Sequence, residues 1–151
     1  MIEVLTMELK YKFIENHKEL RKKYKLSNSQ LSKLLNLKSP TSISNLEAGR
    51  ALPSFEILNK LLNLFSISSD WLFGISEVMY SVEFIAKREY ELIPTFMTLS
   101  IPVDLKYVYI DKRTDFYSLD ERADIIFYIQ ATMVNAEQYL PLLYSKLSKK
   151  D

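Results

Sequence analysis

Apolar residues recur through the first half of the chain at helical spacing, in short runs divided by small polar residues. From about Lys10 to Tyr24, Phe13 and Leu20 stand among basic residues and predict an amphipathic helix ending near Lys25. Ser27-Asn28-Ser29-Gln30 is a Ser-x-x-Gln capping box in front of Leu31, Leu34 and Leu35. Asn36, which tolerates the left-handed conformation, would stop that second helix. Ser39 suits an N-cap and Pro40 the first helical position, where a missing N–H costs nothing. In the third helix Ile43 and Leu46 would face inward, leaving Thr41, Ser42, Ser44 and Asn45 outward, with Gly49 as the stop. Pro53-Ser54 opens a fourth helix with Phe55, Leu58, Leu61, Leu62 and Phe65 on its buried side. Ser68 caps a last short turn, 69–73, closed by Gly74.

The second half is patterned differently. Residues 78–91 predict a helix, and Pro94 and Pro102 punctuate the stretch beyond it. Residues 105–110 (LKYVYI) fit a strand or a short helix. Ser118-Leu119-Asp120-Glu121 is another capping box, starting a helix that can run to about Gln138. Along it Leu119, Ile126 and Met133 recur every seven residues, with Ile129 and Ala136 between them, and Leu119, Ile126, Ile129 and Met133 form a candidate dimerisation seam. Pro141 is expected to break or kink that helix, and Leu142, Leu143 and Leu147 to mark a short final one. The fold class expected is mainly α: five short helices, then a mostly helical C-terminal domain with a short strand near 105–110 as an alternative.

Charge and aromatic content sharpen the division. Residues 1–76 hold 11 Lys/Arg against 7 Asp/Glu, whereas residues 77–151 hold 9 against 12. Eight of the ten tyrosines lie in the second segment. Two domains, 1–76 and 77–151, are therefore expected, the second suited to self-association or to a protein partner. The chain has no cysteine, which removes disulfides and thiolate metal sites and fits a reducing cytoplasm. With only Gly49 and Gly74 there is no Gly-rich phosphate loop. No run approaches the ~18 apolar residues of a membrane span, and the acid-bearing N-terminus does not read as a signal peptide. His17, the one histidine, lies among Glu15, Lys18 and Glu19 and is expected to be exposed. One isolated histidine supports neither a zinc set nor a nucleophilic triad. Asp120, Glu121 and Asp124 fit the first turns of a helix, where acids favour the dipole. No catalytic set, metal or cofactor is indicated.

The segments LRKKYKLSNSQLSKLLNL, SISNLEAGRALPS and LNLFSISSDWLFG, in that order over residues 8–74, resemble the Cro/repressor-type (XRE-like) helix-turn-helix family. Two positions depart from the family's pattern. Ser32 stands where alanine is usual, and Lys38 is an extra residue in the connection from Leu37 to Ile43, which displaces the start of the third helix. The resemblance implies that the third helix enters the major groove of double-stranded DNA. Thr41, Ser42, Ser44 and Asn45 would then meet base edges. Asn45 could pair with adenine and Thr41 could touch a thymine methyl; with no arginine on this face, an A·T-leaning half-site is expected. Asn28, Ser29 and Gln30 at the start of the second helix, with Lys33, Lys38, Ser39 and Arg50, would hold the phosphate backbone. Arg21 and Glu47 would pair across the first and third helices as fold residues.

The function that the resemblance implies is a DNA-binding transcription regulator, a repressor of phage or mobile-element type, dimeric on a palindromic operator. A self-cleaving repressor is disfavoured, since the only Ala-Gly, Ala48-Gly49, lies inside the DNA-binding part. Release would instead come from an inducer or antirepressor protein at the second half. The competing reading is an antitoxin-like module whose C-terminal half binds a partner protein.

Overall fold

A computed structural model describes residues 1–148, so residues 149–151 of the expected second domain lie outside the description. Among the described residues every regular element is a helix, and there is no strand. The chain, expected to divide after residue 76, forms one compact unit from residues 1–62 and 67–79 and another from residues 63–66 and 80 onward.

The first unit is built from α1 (Ile2–Lys23), α2 (Asn28–Leu34), α3 (Thr41–Glu47), most of α4 (Phe55–Phe65) and α5 (Ser69–Leu72). Both partners of the Ser27/Gln30 capping box are in place: the Ser27 hydroxyl accepts from the Gln30 N–H at 3.1 Å, and the Gln30 side chain accepts from the Ser27 N–H at 2.9 Å. Four helices end alike. After α1, α2, α3 and α5 the chain turns left-handed at Lys25, Asn36, Gly49 and Gly74. The next N–H then reaches back to the third-last helical carbonyl: Leu26 to Arg21, Leu37 to Ser32, Arg50 to Asn45 and Ile75 to Asp70. These closures satisfy carbonyls that short helices would otherwise strand. Glycine removes the cost of the positive φ at Gly49 and Gly74; Lys25 bears that cost in full.

Helices of seven residues are not stable alone in water. They persist because Phe13, Leu20, Leu31, Leu35, Ile43, Leu46, Leu61 and Leu72 are buried together, each worth roughly 1.5–3 kcal/mol relative to exposure. Ser32 is buried, as suits a close helix crossing. The Asn16 side-chain amide donates to the Trp71 carbonyl at 2.7 Å and ties α1 to α5.

Several expectations for this unit are corrected. The first helix starts at Ile2, two turns before Lys10. Pro40 occupies the N-cap position of α3 rather than the first helical one, though the Ser39 hydroxyl still accepts the Thr41 N–H at 3.2 Å. Phe55, expected on the buried side of the fourth helix, is 90% exposed at the first position of α4, and Leu58 and Leu62 are half-buried, while Leu61 and Phe65 are buried as expected.

The largest correction concerns His17. It is 1% exposed, and its Nδ1 lies 2.8 Å from Glu47 Oε2. Arg21 grips the same carboxylate from the next turn, donating from Nε to Oε2 at 2.8 Å and from Nη2 to Oε1 at 3.0 Å, while its Nη1 donates to the Leu26 carbonyl at 2.9 Å. The expected Arg21–Glu47 pair is therefore present as part of a three-residue cluster joining α1 to the last turn of α3. The flanking charges disguised His17, but Phe13, His17, Leu20 and Tyr24 follow one another at 4, 3 and 4 residues, the spacing of a single buried stripe.

In the second unit α6 (Val82–Thr98), α7 (Val103–Lys112), α8 (Leu119–Val134) and α9 (Ala136–Ser148) surround a core to which α8 contributes most, with Ala123, Ile125, Ile126, Phe127 and Ile129 buried. Residues 105–110 are helical, not a strand: Lys106 and Tyr109 turn inward three apart. The Ser118/Glu121 capping box forms as expected, but its helix stops at Val134, and Asn135 separates it from α9. Pro94 and Pro141 lie inside helices rather than ending them. Both face solvent, as do Tyr90 and Glu137 four residues earlier, whose carbonyls lose an N–H partner. On the opposite faces the stripes Ile85–Glu89–Leu92–Phe96 and Tyr139–Leu143–Leu147 are buried and hold each helix past its proline.

A second buried carboxylate organises this core. Glu89 is 4% exposed and receives both the Arg122 guanidinium and, at 2.6 Å, the Tyr109 hydroxyl. Burial, and then the neighbouring Glu89 charge, pushes the Tyr109 phenol well above its ordinary range. Asp124, expected in an acidic first turn, pairs with Lys146 at 3.2 Å.

Burial alone would raise the Glu47 carboxyl, but hydrogen bonds and charge from His17 and Arg21 outweigh it and bring the carboxyl down to about 2. A depressed carboxyl stabilises the fold above its unfolded value near 4.5, and that stability is lost as pH falls through about 2. Glu47→Gln should lower the stability of the first unit at neutral pH by about 3 kcal/mol, since it strands a guanidinium. It should also flatten the acid limb between those two pH values. Denaturant melts of the full chain from pH 2 to 7 check both; a variant that melts like the parent at pH 7 would show the cluster to be dispensable.

Candidate nucleic-acid interface

The surface formed by α2 and α3 is held from beneath by Leu31, Ile43, Leu46 and the Glu47 cluster. What it offers outward is polar. Thr41 is exposed at the start of α3, and Ser42, Ser44 and Asn45 are half-buried. Ser29, Lys33, Lys38 and Arg50 are exposed around them, and Asn28, Gln30 and Ser39 are half-buried.

Within this set the hydrogen bonds divide the work. The Ser39 hydroxyl donates to Thr41 Oγ1 at 3.0 Å, which helps orient the Thr41 side chain at the exposed start of α3. Asn28 Nδ2 donates to Ser44 Oγ at 3.2 Å, and that hydroxyl donates in turn to the Pro40 carbonyl at 3.3 Å. Ser44, expected to meet base edges, thus has its hydroxyl committed to joining α2 to α3. Asn28 Oδ1 is buried without a partner. Gln30, expected to help cradle a phosphate, spends its N–H and its side chain on Ser27.

Arg50 is the informative departure. Its Nε donates to Asn45 Oδ1 at 3.1 Å. An amide that reads adenine must present oxygen and nitrogen together, and Arg50 fixes which way Asn45 presents them. The sequence pattern pointed Arg50 at phosphate alone. The closure after Gly49, where the Arg50 N–H bonds the Asn45 carbonyl at 2.9 Å, is what brings the two side chains together. The rim of Lys33, Lys38 and the outer nitrogens of Arg50 supplies positive charge without sequence information.

The four residues of the expected dimerisation seam do not share one accessible face. Ile126 and Ile129 are 1% and 2% exposed inside their own unit, Leu119 is half-buried, and only Met133 is open to solvent, at 57%. A seven-residue repeat along α8 is answered by α9 and α6 of the same chain, so it does not point to a second copy.

Residues 18–72 match the family model described as Helix-turn-helix. That segment is similar to the helix-turn-helix domain of XRE-type DNA-binding transcription regulators. The match ends before residue 80, from which the second unit runs on. No curated protein and no solved structure shows significant similarity to the chain. No helix among the described residues is long and apolar enough to cross a membrane.

Two substitutions separate reading from charge. Asn45→Ala should weaken binding to a specific duplex by about 1–3 kcal/mol and hardly alter binding to random duplex. Arg50→Lys keeps a phosphate-facing charge but loses the directed Nε–H bond, so it should cost specific binding more than random binding. Equal losses on both duplexes for Asn45→Ala, measured by fluorescence anisotropy at fixed salt, would remove Asn45 from base reading.

Proposed function

We propose that the protein is a sequence-specific repressor that binds double-stranded DNA as a homodimer on a palindromic operator. The observation that carries this reading is the polar first half of α3, Thr41 to Asn45, ringed by Lys33, Lys38 and Arg50 and fixed to α1 by a buried carboxylate, within the segment that matches the helix-turn-helix model. Thr41, Ser42 and Asn45 meet base edges. Ser29, Lys33, Lys38, Ser39 and Arg50 contact the backbone, and Asn28, Gln30 and Ser44 support the turn between the two helices. With Asn45 as the reading amide, the half-site leans to A·T.

Two copies place their α3 helices about 34 Å apart, one turn of the duplex or a multiple of it. The full chain selected against random duplexes should enrich a two-fold symmetric motif with that half-site spacing. Enrichment of a single asymmetric half-site would contradict the dimer, and no enrichment at low salt would contradict sequence-specific binding altogether. A reporter gene placed behind the selected motif should fall in expression when the protein is supplied; a rise would identify an activator.

A further inference from the structure

The first turns of α1 run beyond the buried core of their unit. Its core-facing stripe runs upstream from Phe13 through Leu9 and Thr6 to Ile2 at the same spacing, yet there Ile2 is 80% exposed and Leu9 41% exposed. Beside this projecting end lies an apolar cavity of about 230 Å³, lined by Leu9 and Phe13 on α1 and by Leu46, Leu52, Pro53 and Leu58 across from it. An apolar cavity of ~150 Å³ holds a benzene molecule, so this one has room for an aliphatic side chain. A helix end with an uncovered apolar stripe next to an apolar cavity marks an interaction surface.

We propose that the occupant is a second copy of the same chain, whose α1 packs antiparallel against this one about a two-fold axis near Thr6. The charges along the helix select this occupant. Ile2 and Leu9, Thr6 and Phe13, and Glu3 and Lys10 are each seven residues apart, so each pair occupies one line along α1. Glu3 and Lys10 therefore share one flank of the stripe. When two identical helices pack antiparallel, like flanks meet, and Glu3 of each copy comes opposite Lys10 of the other. Neither residue has an ion-pair partner among the described residues. The register that joins these charges brings Thr6 against Thr6. Its hydroxyl is already spent on the Ile2 carbonyl at 2.9 Å, leaving a methyl at the crossing. The same register carries Ile2 of one copy past Leu9 of the other and into the cavity. The surface is self-complementary, as a two-fold interface requires. On the far side of α1, Val4 and Tyr11 are exposed and take no part.

This interface rests on the homodimer of the proposed function and says where it forms. Sedimentation velocity on the full chain at micromolar concentration tests it. The parent should be a dimer. Ile2→Glu/Thr6→Glu changes two exposed residues in the first turns of a helix, where acids are tolerated; it should keep the parent's circular dichroism yet raise the dimer dissociation constant about 100-fold. Glu3→Lys alone should raise it roughly tenfold, and Glu3→Lys/Lys10→Glu should bring it back to within about threefold of the parent. Val4→Glu/Tyr11→Glu, on the far side, should leave it unchanged. If the stripe variant stays dimeric, or the charge swap fails to restore the dimer, this interface is wrong while the homodimer stands. If the parent itself is monomeric at every concentration, the homodimer fails and the interface with it.

Discussion

A single buried carboxylate sets the geometry of the DNA-binding unit. Glu47 occupies the last position of α3, where the ends of two α1 side chains converge on it. Removing a charge from water costs several kcal/mol unless the site returns equivalent bonds. Here Arg21 returns two and His17 a third, and the free energy is favourable only while α3 stays in one orientation against α1. Ile43 and Leu46 alone would let a short helix rotate or slide, because apolar contact is not directional. The carboxylate removes that freedom. The outward half of α3, from Thr41 to Asn45, inherits its direction from a bond made at the opposite end of the same helix, and the closure after Gly49 carries the order one residue further, to Arg50.

Glu89 does comparable work in the second unit. It draws Arg122 from α8 and Tyr109 from α7 onto α6, and Lys106 ties α7 to the Met97 carbonyl at 2.9 Å. A core rich in aromatic rings can pack in many ways at similar energy. Directional bonds to one carboxylate select a single arrangement of three helices. The acidic balance and many tyrosines of this segment are thus partly consumed in its interior, and Tyr90, Tyr107 and Tyr144 are what remains exposed.

How much of this was legible in the sequence depended on how local each determinant is. Capping boxes at Ser27 and Ser118, the left-handed stop at Asn36 and the short turn after Ser68 are decided within four or five residues, and all formed where expected. The segment with the helix-turn-helix pattern was identified from such local features acting together. His17 was missed because its charged neighbours in sequence are not its neighbours in space; its helical stripe was the better guide. Pro94 and Pro141 were misread because a proline's effect depends on whether the freed carbonyl faces water, and that depends on which face the rest of the helix buries. Ile126 and Ile129 show the same limit. A heptad repeat states that a stripe is apolar, and only the fold shows which surface covers it. At the interface, the donors and acceptors were identified by type, but the bond between Arg50 and Asn45 depends on a chain reversal whose side-chain outcome no spacing rule supplies.

A fixed helix is what ties this structure to a function: because α3 cannot turn, the same polar atoms always face outward, and that constancy is what sequence-specific recognition needs. DNA is expected to meet the surface of α2 and α3 before any other part of the chain. Hydrogen exchange on the full-length protein, with and without a duplex that it binds tightly, tests this most directly. Added protection is predicted over residues 28–50, strongest in the first half of α3, with residues 82–148 unchanged. Protection confined to the second unit, with exchange over residues 28–50 unaltered, would contradict it.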